Sequence, residues 1–567
     1  MDWRAEDVGG VEETAEEDLP TQGPKTEDRP KGMRFWGPLL ALSIATFIVV
    51  LDTTMMTVAV PQIAEDINTT VGGVQSGIAL YAMVMASLML FAGKVADLKG
   101  NKRLFIIGLG IYGTGTAVAA VAPSLGVLIF GWSFLEGIAA AFILPLTFTM
   151  TFAHYRGKQR ALAFGVLGGL QAVGAAVGPI LGGLLTTFST WRLGFGLELI
   201  GVFAIIPLLR YLRETEPDRT GTLDWVGTVL SILMTLSIVI GILLAPTFGL
   251  VFPRRPFLVG DVQINPLGLS PSIWLIFFGL ILVALFFHWQ TRRERKNKTP
   301  LFTASLLNNR GFVRAVATNA IFMIAMMGFL FTIPVFLQSF RGFSAFETGL
   351  GLLPFSIAAM VFSFLTPRLS ARFHPKYLIL AGLATSAIGT LLTWSVISPT
   401  LSLVDLILPG LIFGIGTGLL LGPVVNLILS YVRTAQRNEA SSARNANTQL
   451  GTSLGTAVIG SLLLVGFFVA FVDVVAEDAG INLTPEERTQ LAIELEDAFN
   501  KLSNQEIQEI IGQLPPDDQA RVIQIFETAG VNAMRTAMLS ALAVVVLAFV
   551  VGLLIPGGKF ASVAEDG

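Results

Sequence analysis

The chain has 567 residues, of which 53% are hydrophobic and only 14% charged, with a mean hydropathy of +0.70. Soluble domains carry about 25% charged residues, so the composition describes a polytopic membrane protein and argues against a nucleic-acid binder. With no cysteine, no disulfide or thiolate metal site can form, and His154, His288 and His374 fall at helix ends among basic residues, so no metal is expected.

No P-loop and no nucleophile elbow occurs, so neither an ATP-driven pump nor a membrane enzyme is expected, and no cofactor. The net charge of −3 hides an asymmetry. Residues 1–34 hold ten acids and five bases, and residues 473–533 hold thirteen acids and three bases. Everything else is basic.

Residues 1–34 lack an apolar run and read as an acidic, disordered cytoplasmic tail. Six apolar spans follow, at about 35–60, 72–92, 104–121, 125–150, 161–185 and 193–212, and make a first bundle over 35–213. Residues 214–298 form a linker with two extra spans, at about 224–244 and 272–288. Five spans at about 314–337, 348–367, 377–396, 404–432 and 446–471 occupy 299–472. Residues 473–533 are an insert, and 534–567 hold the fourteenth span and a tail.

The loops alternate in charge. Lys94, Lys99, Lys102 and Arg103 follow the second span, Arg156, Lys158 and Arg160 the fourth, and Arg292, Arg293 and Arg295 the eighth. The positive-inside rule places these loops and both termini in the cytoplasm. Arg254, Arg255 and Arg341 are exceptions on outer loops. In the insert, Thr484-Pro-Glu-Glu487 and Ser503-Asn-Gln-Glu506 are capping boxes, and Leu491, Leu495, Phe499 and Leu502 recur on one face. This predicts a small helical cap outside the bilayer, either a solvated loop packed on the rim or a dock for a periplasmic adaptor.

The fifth span carries Gly174, Gly178 and Gly182 at intervals of four, followed by Gly183, with Pro179 between. A face without side chains lets another helix approach backbone to backbone, and Pro179 bends it. Such a face serves plain packing or rocking. The pattern G-x-x-x-G-P-x-x-G-G resembles the antiporter motif of proton-coupled exporters in the major facilitator superfamily. Leu51-Asp52-Thr53-Thr54 through Val58-Ala59-Val60-Pro61 resembles the first-helix signature of that superfamily's fourteen-helix drug:proton antiporter family. Gly93, Asp97, Gly100, Lys102 and Arg103 match the superfamily's loop motif. Asp224-x-x-Gly227 and 338–349 resemble further marks of the family more loosely. The resemblance implies an all-α fold of two six-helix bundles plus two central helices. It implies an inner-membrane exporter that exchanges protons for amphipathic or lipophilic, cationic compounds by alternating access. The runner-up is an exporter of a lipid or secreted metabolite.

Two carboxyls lie deep in spans, Asp52 and Glu136, where an unpartnered charge is costly. Burial disfavours the charged carboxylate and contact with water restores it, so such a group can bind and release a proton with conformation. The alternative is a carboxyl permanently paired to a polar neighbour. Glu198 and Asp405, nearer helix ends, are secondary candidates. The family's fourth helix has R-x-x-Q-G, whereas Ser133-Phe-Leu-Glu136-Gly137 has Ser for Arg and a carboxylate for Gln. The loop motif reads as a conformational latch, or as a topology anchor alone. Met56, Tyr81, Gln171, Asn319, Met323 and Phe331 are the residues expected to line a cavity for a small amphipathic substrate, with membrane lipid around it.

Overall fold

A computed structural model of the chain describes residues 32–557, apart from 156, 215–221, 256, 260–261, 264–265, 297, 371, 433–436, 500–511 and 514. The acidic tail 1–31 and the second capping box therefore lie outside the described residues. The first six spanning helices are α1 (Met33–Asp66), α2 (Val71–Lys99), α3 (Asn101–Ala120), α4 (125–154), α5 (Gly157–Phe188) and α6 (Arg192–Tyr211). Next come α7 (Trp225–Phe248) and α8 (Pro271–Arg295), joined by a hairpin of β1 (Leu258–Val259) and β2 (Val262–Gln263). The rest are α9 (Arg310–Phe340), α10 (Ala345–Ser370), α11 (Pro375–Val396), α12 (Leu403–Ser430), α13 (Arg437–Ala479), the short α14 (Pro485–Phe499) and α15 (Pro516–Leu553). Among the described residues, thirteen are long and apolar enough to cross a bilayer. The remaining long helix, α5, has its described apolar part at Val177–Phe188. The hydropathy predicts fourteen spans, and α5, a helix of 32 residues, stands where the fifth is expected.

Helix starts follow from local chemistry. Side chains of Thr70, Asp224, Ser270 and Asn309 accept from the first backbone N–H groups of α2, α7, α8 and α9. Pro271 and Pro375 open α8 and α11, where a missing N–H costs nothing. The first helix outruns its expected end. Pro61 sits inside α1, which continues to Asp66, whose carboxylate accepts from Trp191 Nε1 at 3.0 Å.

In the first half α1 packs on α5, α2 on α4, and α3 on α4 and α6. In the second, α9 packs on α13, and α12 on α10 and α11, with α15 closing the bundle. The halves meet along α5–α10 and α2–α13. The α7–α8 pair lies outside one of these seams, with α7 against α2 and α13. On the face bearing the insert the seams are bonded. Gln75 Nε2 donates to the Thr456 carbonyl at 2.6 Å, Gln338 Nε2 to the Val58 carbonyl at 2.8 Å, and the Phe346 N–H to Thr187 Oγ1 at 2.9 Å.

Among the described residues of the insert, the two ends are continuations of α13 and α15, and α14 lies between them, laid against α13. Of the expected apolar face, Leu495 and Phe499 are half-buried, with Phe499 against Phe468 of α13, whereas Leu491 is exposed and Ala492 is buried. Glu496 turns inward to pair with Arg255 at 2.6 Å. Arg255 also pairs with Asp497, and Arg341 with Glu527 at 3.0 Å. Two of the three arginines that break the charge rule are thus countercharges for the insert. Phe340, Phe467 and Phe526 pack ring against ring, tilted or edge to face, and tie α9, α13 and α15 together.

Candidate functional site

Asp52 on α1, Glu136 on α4 and Glu198 on α6 converge inside the first half. Each offers a carboxylate oxygen within 4.8 Å of the other two. Their exposures are 0%, 0% and 1%. Asp52 lies roughly 21 Å along α1 from its Asp66 end, near the middle of the helix. Trp132 Nε1 donates to Asp52 Oδ2 at 3.1 Å, and Tyr112 Oη donates to Glu198 Oε2 at 3.0 Å. Asp52 Oδ1, Glu198 Oε1 and both oxygens of Glu136 find no partner among the described residues. The buried Tyr81 hydroxyl faces Asp52, and its ring stacks on Trp132 at 6.2 Å.

At an effective dielectric of about 20, two unit charges 4.8 Å apart repel by about 3.5 kcal/mol. Three ionised carboxylates would carry three such repulsions besides their desolvation. No Lys or Arg pairs with any of them among the described residues, so bound protons or another cation must balance the charge.

Local sequence explains the convergence. α4 reaches Glu136 through a π-helical stretch, Ile129–Glu136, a wide turn that recurs at functional sites. There Gly131 lies backbone to backbone on α3, where a Cβ would sit 2.8 Å from both Ala119 N and the Gly115 carbonyl. Gly115 in turn leaves room for Glu136, since its Cβ would lie 2.8 Å from Glu136 Cγ. Ser133 is fully buried and donates to the Gly77 carbonyl of α2 at 2.8 Å. An arginine does not fit this contact, so the small residue that brings α4 close to α2 also leaves Glu136 without a base.

The glycine face of α5 is the surface on which α1 lies. A Cβ at Gly174 would meet the Phe47 carbonyl at 3.2 Å, and one at Gly182 the Met55 carbonyl at 2.6 Å. Gly178 abuts Thr54, whose hydroxyl reaches the Gly174 carbonyl at 3.3 Å. Asp52 sits in the stretch of α1 so gripped. Pro179 and Gly183 face the other half, where Gly349 would place a Cβ 2.6 Å from the Pro179 carbonyl and Gly183 touches Ala345. One motif therefore contacts both the acid-bearing helix and α10.

In the loop motif, Gly100 takes φ +97°, a conformation that favours glycine. Glu214 then accepts from the Lys102 and Arg103 N–H groups at 2.8 and 3.1 Å, and Lys102 Nζ reaches the Leu212 carbonyl at 2.8 Å. Gly93 faces α13, with space for a Cβ only 3.0 Å from Ser442 Oγ. The Asp97 side chain lies outside the described residues.

Other expected residues lie elsewhere. Asp405 is on the surface, where it accepts from the Ser402 N–H and hydroxyl at 2.8 Å in a capping box. Met56 is buried against Gly194 of α6. Asn319, Met323 and Phe331 line the α9–α13 seam, where Asn319 Nδ2 donates to Thr448 Oγ1 at 2.8 Å. Gln171 is half-buried on α5. Of the cavity candidates, Tyr81 alone is brought to the cluster. Tyr112 and Trp132 are absent from the sequence-based expectation. The signal for Trp132 was its place four residues before Glu136, and for Tyr112 a polar tip in an apolar helix.

Residues 42–456 match the family model of the Major Facilitator Superfamily. The chain is 27% identical over 520 residues to the multidrug resistance protein Stp of Mycobacterium tuberculosis, covering 91% of this chain and 90% of that one. It is 28% identical over 460 residues to the multidrug efflux pump LfrA of Mycolicibacterium smegmatis, covering 80% and 84%. Among solved structures, an inward-facing, unoccupied bacterial homologue of the human lysosomal transporter Spinster superposes with a TM-score of 0.58 at 17% identity, over 93% of this chain and 98% of that one, a likeness of fold. With its many apolar helices and a family match over most of its length, the chain is a multi-pass membrane protein of the major facilitator superfamily.

Proposed function

We propose that this protein is a secondary active exporter that exchanges external protons for small amphipathic or lipophilic cations by alternating access. The observation that carries the reading is the base-free cluster of Asp52, Glu136 and Glu198. Protons held there neutralise the acids while they face apolar surroundings, and leave when the site opens to the cytoplasm. A cationic cargo then competes for the same negative charge, which links its exit to proton entry. Trp132 and Tyr112 orient Asp52 and Glu198 by their hydrogen bonds. The glycine face of α5 serves as the track on which α1 and α10 shift, and the loop motif with Gly93 as the latch toward α13.

The names of Stp, a multidrug resistance protein, and LfrA, a multidrug efflux pump, support export of drug-like compounds. The basic loops support an inner-membrane orientation with both termini cytoplasmic and the insert outside. Bundles at 35–213 and 299–472 plus the final helix would rock about the site, with 214–298 as a peripheral pair. The insert's acids bind arginines of its own rim, which favours an intramolecular role over docking an adaptor. The test is transport of a lipophilic cation such as ethidium in proteoliposomes under an imposed pH gradient. Uptake that collapses with the gradient is expected, and uptake indifferent to it would falsify proton exchange.

A further inference from the structure

We infer that the cavity enclosed by α7, α13 and α14 at the root of the insert binds the headgroup of an anionic phospholipid drawn from the surrounding bilayer. The inference goes beyond the export reading and uses neither the acid cluster nor the cargo.

The first observation is an unspent charge. Of the three arginines that break the loop-charge pattern, Arg255 and Arg341 are claimed by acids of the insert. Arg254 makes no ion pair among the described residues, and it borders a cavity of about 190 Å³. Arg255 and Arg488 border the same cavity. Arg255 commits its terminal nitrogens to Asp497 and Glu496, and its buried Nε finds no partner among the described residues. Arg488 is paired with Asp473, and Glu496, the carboxylate on the lining, is held by Arg255. The capacity left over is therefore cationic, Arg254 and the Nε of Arg255, and calls for an anion. Arginine matches the oxygens of a phosphate with parallel N–H donors. The other walls are apolar, with Val465 and Phe468 from α13 and Ala492 and Ile493 from α14. A dissolved anion gains nothing from such walls, and a lipophilic cation is repelled by Arg254. An anionic head on a hydrocarbon body satisfies both.

The position of the cavity selects a lipid among such amphipaths. Thr247, the penultimate residue of α7, lies on its rim. Gly460 of α13 touches Gln75, near the insert-side end of α2 at Val71. Val465 and Val469 follow along α13 by roughly 8 and 14 Å, so the cavity sits where the apolar spans give way to water. A bilayer presents its phosphates at that depth, and basic pockets between spanning helices hold anionic headgroups. The size agrees. Sites that enclose a drug-sized molecule measure about 300–1,000 Å³. At about 190 Å³ this cavity takes a phosphate, its glycerol and the first carbons of a chain, while the rest of the lipid stays in the bilayer. Bound there, the lipid joins α14 to α7 and α13.

The experiment uses the purified full-length protein in nanodiscs of dioleoyl phosphatidylcholine with rising fractions of dioleoyl phosphatidylglycerol, at constant ionic strength and without cargo. Hydrogen exchange across 485–499 is followed by mass spectrometry, which reads this cavity and not the basic loops elsewhere. Phosphatidylglycerol should slow exchange there saturably, by about threefold or more. In Arg254→Gln the fraction needed for half the effect should rise about fivefold, and Arg254→Lys, which restores the charge, should recover most of it. Val465→Thr puts a hydroxyl into the apolar wall at nearly unchanged shape and should weaken the response about twofold. Arg521→Gln alters an arginine of the insert that does not border the cavity and should match wild type. Arg254→Gln breaks no ion pair, so its melting in pure phosphatidylcholine should equal that of wild type. No slowing by phosphatidylglycerol, or the same slowing in Arg254→Gln, overturns the inference. Equal slowing by inorganic phosphate in phosphatidylcholine discs shows a site for a free anion, and equal slowing by dioleoylglycerol shows a merely apolar groove; either result overturns it as well. Transport enters none of these readouts, so failure here leaves the exporter reading standing, and a failed transport assay leaves the lipid site standing.

Discussion

Acids gather in two places in this molecule, and their surroundings are opposite. On the insert face every ion pair has a donor at hand: Glu496 and Asp497 on Arg255, Glu527 on Arg341, Asp473 on Arg488, Asp478 on Arg521. Inside the first half, Asp52, Glu136 and Glu198 share one another's company and two neutral donors. A paired carboxylate at the rim holds two segments together for a modest gain in energy. An unpaired, dry one is costly unless a mobile cation visits. The same side chains thus serve as fasteners in one region and as a charge reservoir in the other.

The sharpest way to break that contrast is to remove charge from the reservoir. Asp52→Asn should cut gradient-driven transport at least a hundredfold while the protein still inserts and unfolds normally, read in proteoliposomes beside a thermal melt. Wild-type accumulation in that variant removes Asp52 from the coupling. Glu136→Gln should retain cargo binding but lose turnover by tenfold or more, and its transport should no longer follow pH. Unchanged pH dependence would make Glu136 a packing residue. Glu198→Gln keeps an acceptor for Tyr112, so a smaller loss of about three- to tenfold is expected.

Changes among the fasteners should touch shape before transport. Arg255→Gln leaves Glu496 without its cation and should loosen α14 by about 1–2 kcal/mol in hydrogen exchange, with transport within twofold of wild type. The smallest effect belongs to Glu487. Hydrogen bonds from the Thr484 N–H and hydroxyl hold its carboxyl below the ordinary 4.5. Its stabilisation is therefore present above that pH and lost as pH falls through the lowered value. Glu487→Gln should make the start of α14 exchange faster at pH 7, with the difference from wild type shrinking as pH falls through the lowered value.

Much of this was legible in the chain. Apolar runs and alternating loop charge give the fourteen spans, because a bilayer imposes length and polarity on each. Asp52 and Glu136 stand out because a lone carboxylate in such a run is costly. Glu198 does not, since its distance from Asp52 and Glu136 in sequence says nothing about three helices meeting. Asp405 looked similar to Glu198 by depth, yet one faces the cluster and the other caps a turn, a difference made by Ser402 three residues away. The inward turn of Glu496 was hidden for the same reason. Its partner, Arg255, is in another loop, and amphipathic spacing within α14 cannot register it.

The length of α13 has one more consequence. At 43 residues it extends about 65 Å, roughly twice the hydrocarbon thickness, and it touches α2 of the opposite half while carrying α14 beyond the membrane. A tilt of about 10° along such a rod displaces its tip by on the order of 10 Å. The chain contains no cysteine, so thiols introduced at Glu65→Cys and Gln490→Cys would be the sole attachment points for a pair of dyes. Both positions are exposed. Energy transfer between them turns the projecting helix into a lever with an optical scale, on which the swing of one half against the other can be followed in single molecules while the cargo path stays unlabelled.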